Sequence, residues 1–88
     1  MSAEMVAVFP TTHLTLRAEE AFEEEGLPIR TVMKPRRISS DCGLAISLAA
    51  ADLARAEDVV RARGLGPVGF FRPDGAGWTL VLSIGEGE

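Results

Sequence analysis

Apolar residues recur along this chain with two alternating periods, and the order of those periods restricts the fold more than any single motif. Met5-Val6-Ala7-Val8-Phe9 is a short run rich in β-branched residues that stops at Pro10, which reads as a buried strand. Leu14, Ala18, Ala21 and Phe22 then return at helical spacing, and the hydroxyl of Thr11 or Thr12 can cap that helix. Gly26 suits the left-handed position just past the helix, and Leu27-Pro28 prevents its continuation. Ile29 to Lys34 alternates weakly, with Ile29, Thr31 and Met33 on one side and Arg30, Val32 and Lys34 on the other. That pattern fits a half-exposed strand which Pro35 ends or confines to an edge.

After the polar stretch Pro35 to Gly43, Leu44-Ala45-Ile46-Ser47-Leu48 alternates as an antiparallel strand facing a core would. A second helix is predicted from about Asp52, with Leu53, Ala56 and Val60 inward, Val59 flanking them and Gly64 at its end. Val68 to Phe71 reads as a strand, Arg72-Pro73-Asp74-Gly75 as a tight turn and Trp78 to Ile84 as a returning strand. Residues 84–88 are expected to fray. Glu19, Glu20, Glu23, Glu24 and Glu25 form the solvated face of the first helix, the last two unfavourably near its negative end.

This order predicts an α+β domain with a ferredoxin-like βαββαβ antiparallel sheet, two helices on one face and an extra C-terminal strand. A right-handed crossover leaves a gap between the first two strands, and the third strand inserts there. Strand one then ends at the sheet edge where helix one and strand three begin, so Phe9 to His13 should lie near Cys42.

With 88 residues the chain has room for one such domain, spanning residues 1–88. A net charge of −4 argues against a broad nucleic-acid surface. RNA binding on the sheet is disfavoured too, because Leu44 to Leu48 offers no aromatic for base stacking. Phe70, Phe71 and Trp78 are better suited to packing. No apolar run spans a bilayer, and the start Met1-Ser2-Ala3-Glu4-Met5 lacks the marks of a secretory signal, so no membrane association and a cytoplasmic location are expected. Cys42 is the only cysteine and His13 the only histidine, too few soft ligands for a structural zinc site, and no cofactor is expected.

Lys34-Pro35-Arg36-Arg37-Ile38-Ser39-Ser40-Asp41-Cys42-Gly43 gathers three of the nine basic residues just before the only thiol. Cations and a helix N-terminus stabilise a thiolate, and the predicted topology supplies both, through Arg36 and Arg37 and through the free amides near Thr11 and Thr12. Asp41 acts in the opposite sense if it faces the sulfur. Gly43 would let a backbone approach closely or take an unusual dihedral, and Ser39 and Ser40 offer hydroxyls to an anion or to the loop itself. His13 is a proton shuttle or merely an exposed residue. On spacing alone, a cysteine here is more often a small buried hydrophobe.

Pro35-Arg36-Arg37-Ile38-Ser39-Ser40-Asp41-Cys42-Gly43-Leu44-Ala45 resembles the signature of the putative selenium/sulfur carrier protein-like family. Phe9-Pro10-Thr11-Thr12-His13, Arg17-Ala18-Glu19 and Gly26-Leu27-Pro28 extend the likeness, as do Asp52-Leu53 and Ala56. The resemblance covers about Val6 to Phe71. It implies that Cys42 carries a terminal sulfur or selenium as a persulfide or perselenide, received from a donor protein and passed to an acceptor. Arg36 and Arg37 would then stabilise the anionic terminal atom or dock an acidic donor. The chain would be a carrier rather than a stand-alone enzyme, with a second copy of itself as a further candidate partner through the added C-terminal segment. The competing function is a regulatory or adaptor module that binds a small anion or partner while Cys42 only packs.

Overall fold

The structure, a computed structural model, describes residues 3–85. Its elements in chain order are β1 (Glu4–Val8), α1 (Thr12–Glu24), β2 (Ile29–Met33), β3 (Leu44–Ala49), α2 (Leu53–Arg63), β4 (Val68–Asp74) and β5 (Gly77–Ile84), with a short 3-10 turn at Ala50–Asp52 before α2. The strands form one sheet in the order β2-β3-β1-β4-β5, antiparallel throughout. This is the ferredoxin-like arrangement with one strand added at the β4 edge.

Each helix forms where sequence and capping agree. The Thr11 hydroxyl accepts the Leu14 amide at 3.1 Å to start α1, and Gly26 takes a φ of 73° just beyond its end. Gly64 closes α2 with a φ of 62°. Glu24 and Glu25, badly placed for the helix dipole, are both held by Arg63 from α2, at 2.6 and 2.8 Å. The helices bury Ala18, Ala21, Phe22, Ala56 and Val60 against Met5, Ala7, Phe9, Ile46, Leu48 and Phe70 of the sheet.

The opposite face of the sheet is not left to water. Val6, Val8 and Ala45 pack there with Ile38, which folds over from the β2–β3 loop, and with Val32, Phe71 and Trp78. The strand β3 is therefore buried on both faces, where alternation predicted burial on one. Ser47 sits on this second face with 5% exposure and donates to Glu4, which also receives Arg30.

The last hairpin differs in register from the expected one. It turns at Asp74–Gly77 with Gly75 at a φ of 62°, so Arg72 and Pro73 belong to β4. Pro73 is tolerated because pairing with β1 stops at Phe71 and no β1 carbonyl calls for its missing amide. Phe70 pairs with Leu82 and Phe71 with Leu80, leaving Val81 as a bulge. Ile84 does not fray. It is 1% exposed, pairs with Val68, and is followed by Gly85, whose carbonyl oxygen would lie 2.1 Å from a Cβ at Gly66. Residues 86–88 of the expected tail lie outside the described residues.

Candidate functional site

The predicted meeting of α1 and β3 is present, and it surrounds the sulfur with polar groups. Cys42 precedes β3 and is 2% exposed. Its Sγ stands 3.4 Å from Thr15 Oγ1 and 3.7 Å from Thr12 Oγ1, both on the first turn of α1. The Leu44 amide donates to the sulfur at 3.4 Å, and the Leu44 carbonyl accepts from the thiol at the same distance. Ser40 stitches this corner together: its hydroxyl donates to the Phe9 carbonyl at 3.2 Å and accepts the Cys42 amide at 3.2 Å.

Burial pushes the thiol pKa up and is the largest single influence. The Thr15 hydroxyl, the Leu44 amide, the Thr12 hydroxyl and the charge of Lys34 all pull it down and together prevail, so the thiol lies below its ordinary range. Lys34 is tied close by, its Nζ donating to the Ile38 carbonyl at 2.5 Å and to the Pro35 carbonyl at 3.4 Å.

Thr15 has one hydroxyl proton and two acceptors. It donates to the Thr11 carbonyl at 2.9 Å while the sulfur waits at 3.4 Å. That carbonyl also takes the Thr15 amide, at 3.1 Å, so it stays partnered if the hydroxyl turns to a thiolate. The corner thus holds a neutral thiol through Leu44 and accommodates an anion by rotating one bond.

The other sequence candidates separate from the sulfur in instructive ways. Arg36 and Arg37 are exposed, form no ion pair among the described residues and are not among the groups that act on the thiol; the cation whose charge lowers its pKa is Lys34. The free helix amides expected near Thr11 and Thr12 do not supply the contact either, because the Leu14 amide is taken by Thr11 and the donor at sulfur is the Leu44 amide. His13 is exposed on the first turn. Gly43 lacks a left-handed dihedral, and a Cβ there would meet nothing within 4 Å, so neither close backbone approach nor unusual geometry explains it. Its carbonyl accepts the Lys34 amide at 2.8 Å and closes the loop.

Ser39, Ser40 and Asp41 line an open groove of about 530 Å³ with Val8, Phe71 and Leu80, residues of the sheet face away from the helices. Cys42 does not line it. No group of three or more His, Cys, Asp or Glu among the described residues is placed to hold a metal ion. No helix among them is long and apolar enough to cross a membrane.

Thr15 and Lys34 are the site members that the motif reading passed over. Thr15 is fully buried in the same stripe as Ala18 and Phe22, so a hydroxyl at a core position was the available signal.

An α+β domain with a buried thiol set among hydroxyls at the corner of its sheet is the class defined by these features. Residues 4–72 match the family model described as putative Se/S carrier protein-like, and the chain belongs to that family. The match includes the whole cysteine corner and stops before β5. No curated protein and no solved structure matches the chain.

Proposed function

We propose that this chain carries sulfur or selenium as a persulfide or perselenide on Cys42. The family description supports a carrier, and the observation that carries the assignment to this residue is the hydroxyl-lined, anion-tolerant setting of the one thiol in the chain. In the loading step the Cys42 thiolate attacks the outer sulfur of a donor persulfide. A new S–S bond forms at Cys42, the donor's S–S bond breaks, and the donor leaves as a thiolate, so no external oxidant or reductant is required. Delivery repeats the displacement with an acceptor nucleophile attacking the outer atom. The Thr12 and Thr15 hydroxyls and the Leu44 amide solvate the anionic sulfur at each stage.

At 2% exposure the thiol must be uncovered before a donor reaches it. Its sulfur faces the first turn of α1 and the Leu44 backbone, so a donor reaches it when the corner between α1 and the loop Pro35–Gly43 opens. That loop is fastened by the Lys34 and Ser40 hydrogen bonds, the Lys34 amide to the Gly43 carbonyl and the seat of Ile38. Partner proteins for donation and acceptance follow from a carrier role, with Arg36 and Arg37 free to meet them.

That same burial favours a second reading, an adaptor module in which Cys42 is structural. Native-state treatment with glutathione persulfide separates the two. Carriage predicts a mass gain of one sulfur atom in the wild type and none in Cys42→Ser. A native thiol that resists both this donor and iodoacetamide assigns Cys42 to packing.

A further inference from the structure

Four of the basic side chains are engaged by the chain's own carboxylates: Arg30 by Glu4, Arg55 by Asp52, Arg61 by Glu57 and Arg63 by Glu24 and Glu25. Arg17, Arg36, Arg37 and Arg72 are exposed and form no ion pair among the described residues; Arg72 lies beside the β4–β5 turn, and the other three belong to the cysteine end of the fold. Arg36 and Arg37 lie on the loop that leads to Cys42, and Arg17 follows Thr15 and Leu16 on α1. Three of the four unpaired arginines thus stand at the end of the fold that holds the thiol.

Two of its most exposed large apolar side chains stand at the same end, Met33 at 84% and Leu16 at 48%. The hydrogen bond from Thr31 to Glu19 ties the middle of β2 to the middle of α1. Stepping from Glu19 to Leu16 climbs about 4.5 Å along the helix, and from Thr31 to Met33 about 6.6 Å along the strand. Both steps run toward the Cys42 corner, since Met33 pairs with Leu44 and Thr12 and Thr15 reach the sulfur. Leu16 and Met33 therefore stand at the same end of the fold, with Arg17 next to Leu16 in the chain and Arg36 and Arg37 in the turn that follows Met33. Glu19, which accepts from Thr31, and Glu20, one turn along from Leu16, keep their charges on this face, where Arg17, Lys34, Arg36 and Arg37 outnumber them; Asp41 lines the groove on the other face.

We infer that Leu16 and Met33, rimmed by Arg17, Arg36 and Arg37, form the docking surface for a persulfide-donor protein that presents acidic side chains around an apolar contact. This rests on the carrier reading and names the chemistry of its partner. Complementary rim charge raises the encounter rate and orients the donor sulfur toward the loop, and the apolar pair supplies the contact that remains when salt screens the charges.

The test uses synthetic peptides with one cysteine beside a leucine, flanked by aspartates and glutamates or by lysines. Each is prepared as a neutral pyridyl mixed disulfide and as a persulfide. With the disulfide form the Cys42 thiolate attacks the peptide sulfur, the peptide disulfide forms, and the pyridyl thiolate leaves and is read by its absorbance, whether or not the chain carries sulfur. The acidic peptide should react faster than the basic one by about tenfold at low salt, and added salt should shrink that preference. Arg36→Glu with Arg37→Glu should abolish it while leaving the thermal melt unchanged, because both side chains are exposed. Met33→Ser should slow the leucine-bearing acidic peptide and not its alanine counterpart.

Equal rates for both charges, a preference untouched by the double variant, or a native thiol inert to both peptides would overturn the inference. So would a dimer in sedimentation that the double variant dissociates, since the face would then belong to a second copy of the chain. The carrier reading fails separately: the disulfide peptides then couple with the stated preference, but the persulfide forms never leave a sulfur atom on Cys42.

Discussion

The Thr15 hydroxyl lies 3.4 Å from the Cys42 sulfur and 2.9 Å from the Thr11 carbonyl, so one proton serves two acceptors at the start of α1. Replacing Thr15 with Val keeps a branched side chain of similar size and removes that proton. The thiol then loses the largest of the influences that lower its pKa. The midpoint of the alkylation rate against pH should rise, and denaturant unfolding should show a loss of about 1 kcal/mol. Thr12→Val, at the longer contact of 3.7 Å, should shift the midpoint in the same direction by less.

Stability should depend on pH through the same thiol. Its folded pKa is lowered, so between that value and the unfolded one, about 8.5, the unfolded chain holds more protons than the folded chain. Stability relative to Cys42→Ser should therefore rise with pH across that window, level off above it, and show no such gain below the folded pKa. Urea melts of both proteins from about pH 6 to about pH 9.5 check the sign.

Ile38 is 3% exposed and seats the Pro35–Gly43 loop on Val6, Val8 and Ala45. Ile38→Ala should lower stability by about 2 kcal/mol, at the small end for such truncations, because the cluster is small and at a margin. Alkylation of Cys42 in the native state should speed up by more than global unfolding accounts for, since the loop opens locally. Hydrogen exchange confined to residues 36–43 would report the same event.

Two glycines should respond oppositely to alanine. At Gly66 a Cβ would stand 2.1 Å from the Gly85 carbonyl oxygen, so Gly66→Ala must displace the end of β5 and should cost about 2 kcal/mol. At Gly43 nothing lies within 4 Å and the backbone is ordinary, so Gly43→Ala should melt like the wild type. Thermal unfolding of the two variants side by side makes the comparison.

The topology was legible because each apolar run carries its own period and its own stop signal. Pro10, Gly26, Pro35 and Gly64 all close or follow elements as expected, and the crossover rule alone brought Thr12 to Cys42, 30 positions further along the chain. The site was half legible. Cys42 and Thr12 meet, but the motif drew attention to Arg36 and Arg37, whereas Lys34 is the cation whose charge acts on the sulfur. Thr15 was hidden by its place in an apolar stripe. The hairpin register was missed because Pro73-Asp74-Gly75 satisfies turn chemistry at two frames, and the pairing of Phe71 with Leu80 across the Val81 bulge selects the later one.

The most direct measurement follows one sulfur atom on and off the native chain by intact mass. The chain is exposed to a persulfide, freed of it, and then offered a small thiol acceptor. We predict a gain of one sulfur atom located on Cys42, its return to the acceptor with recovery of the original mass, and neither event in Cys42→Ser. An unchanged mass, or capture of the whole donor as a mixed disulfide that never resolves to a persulfide, would contradict carriage by Cys42.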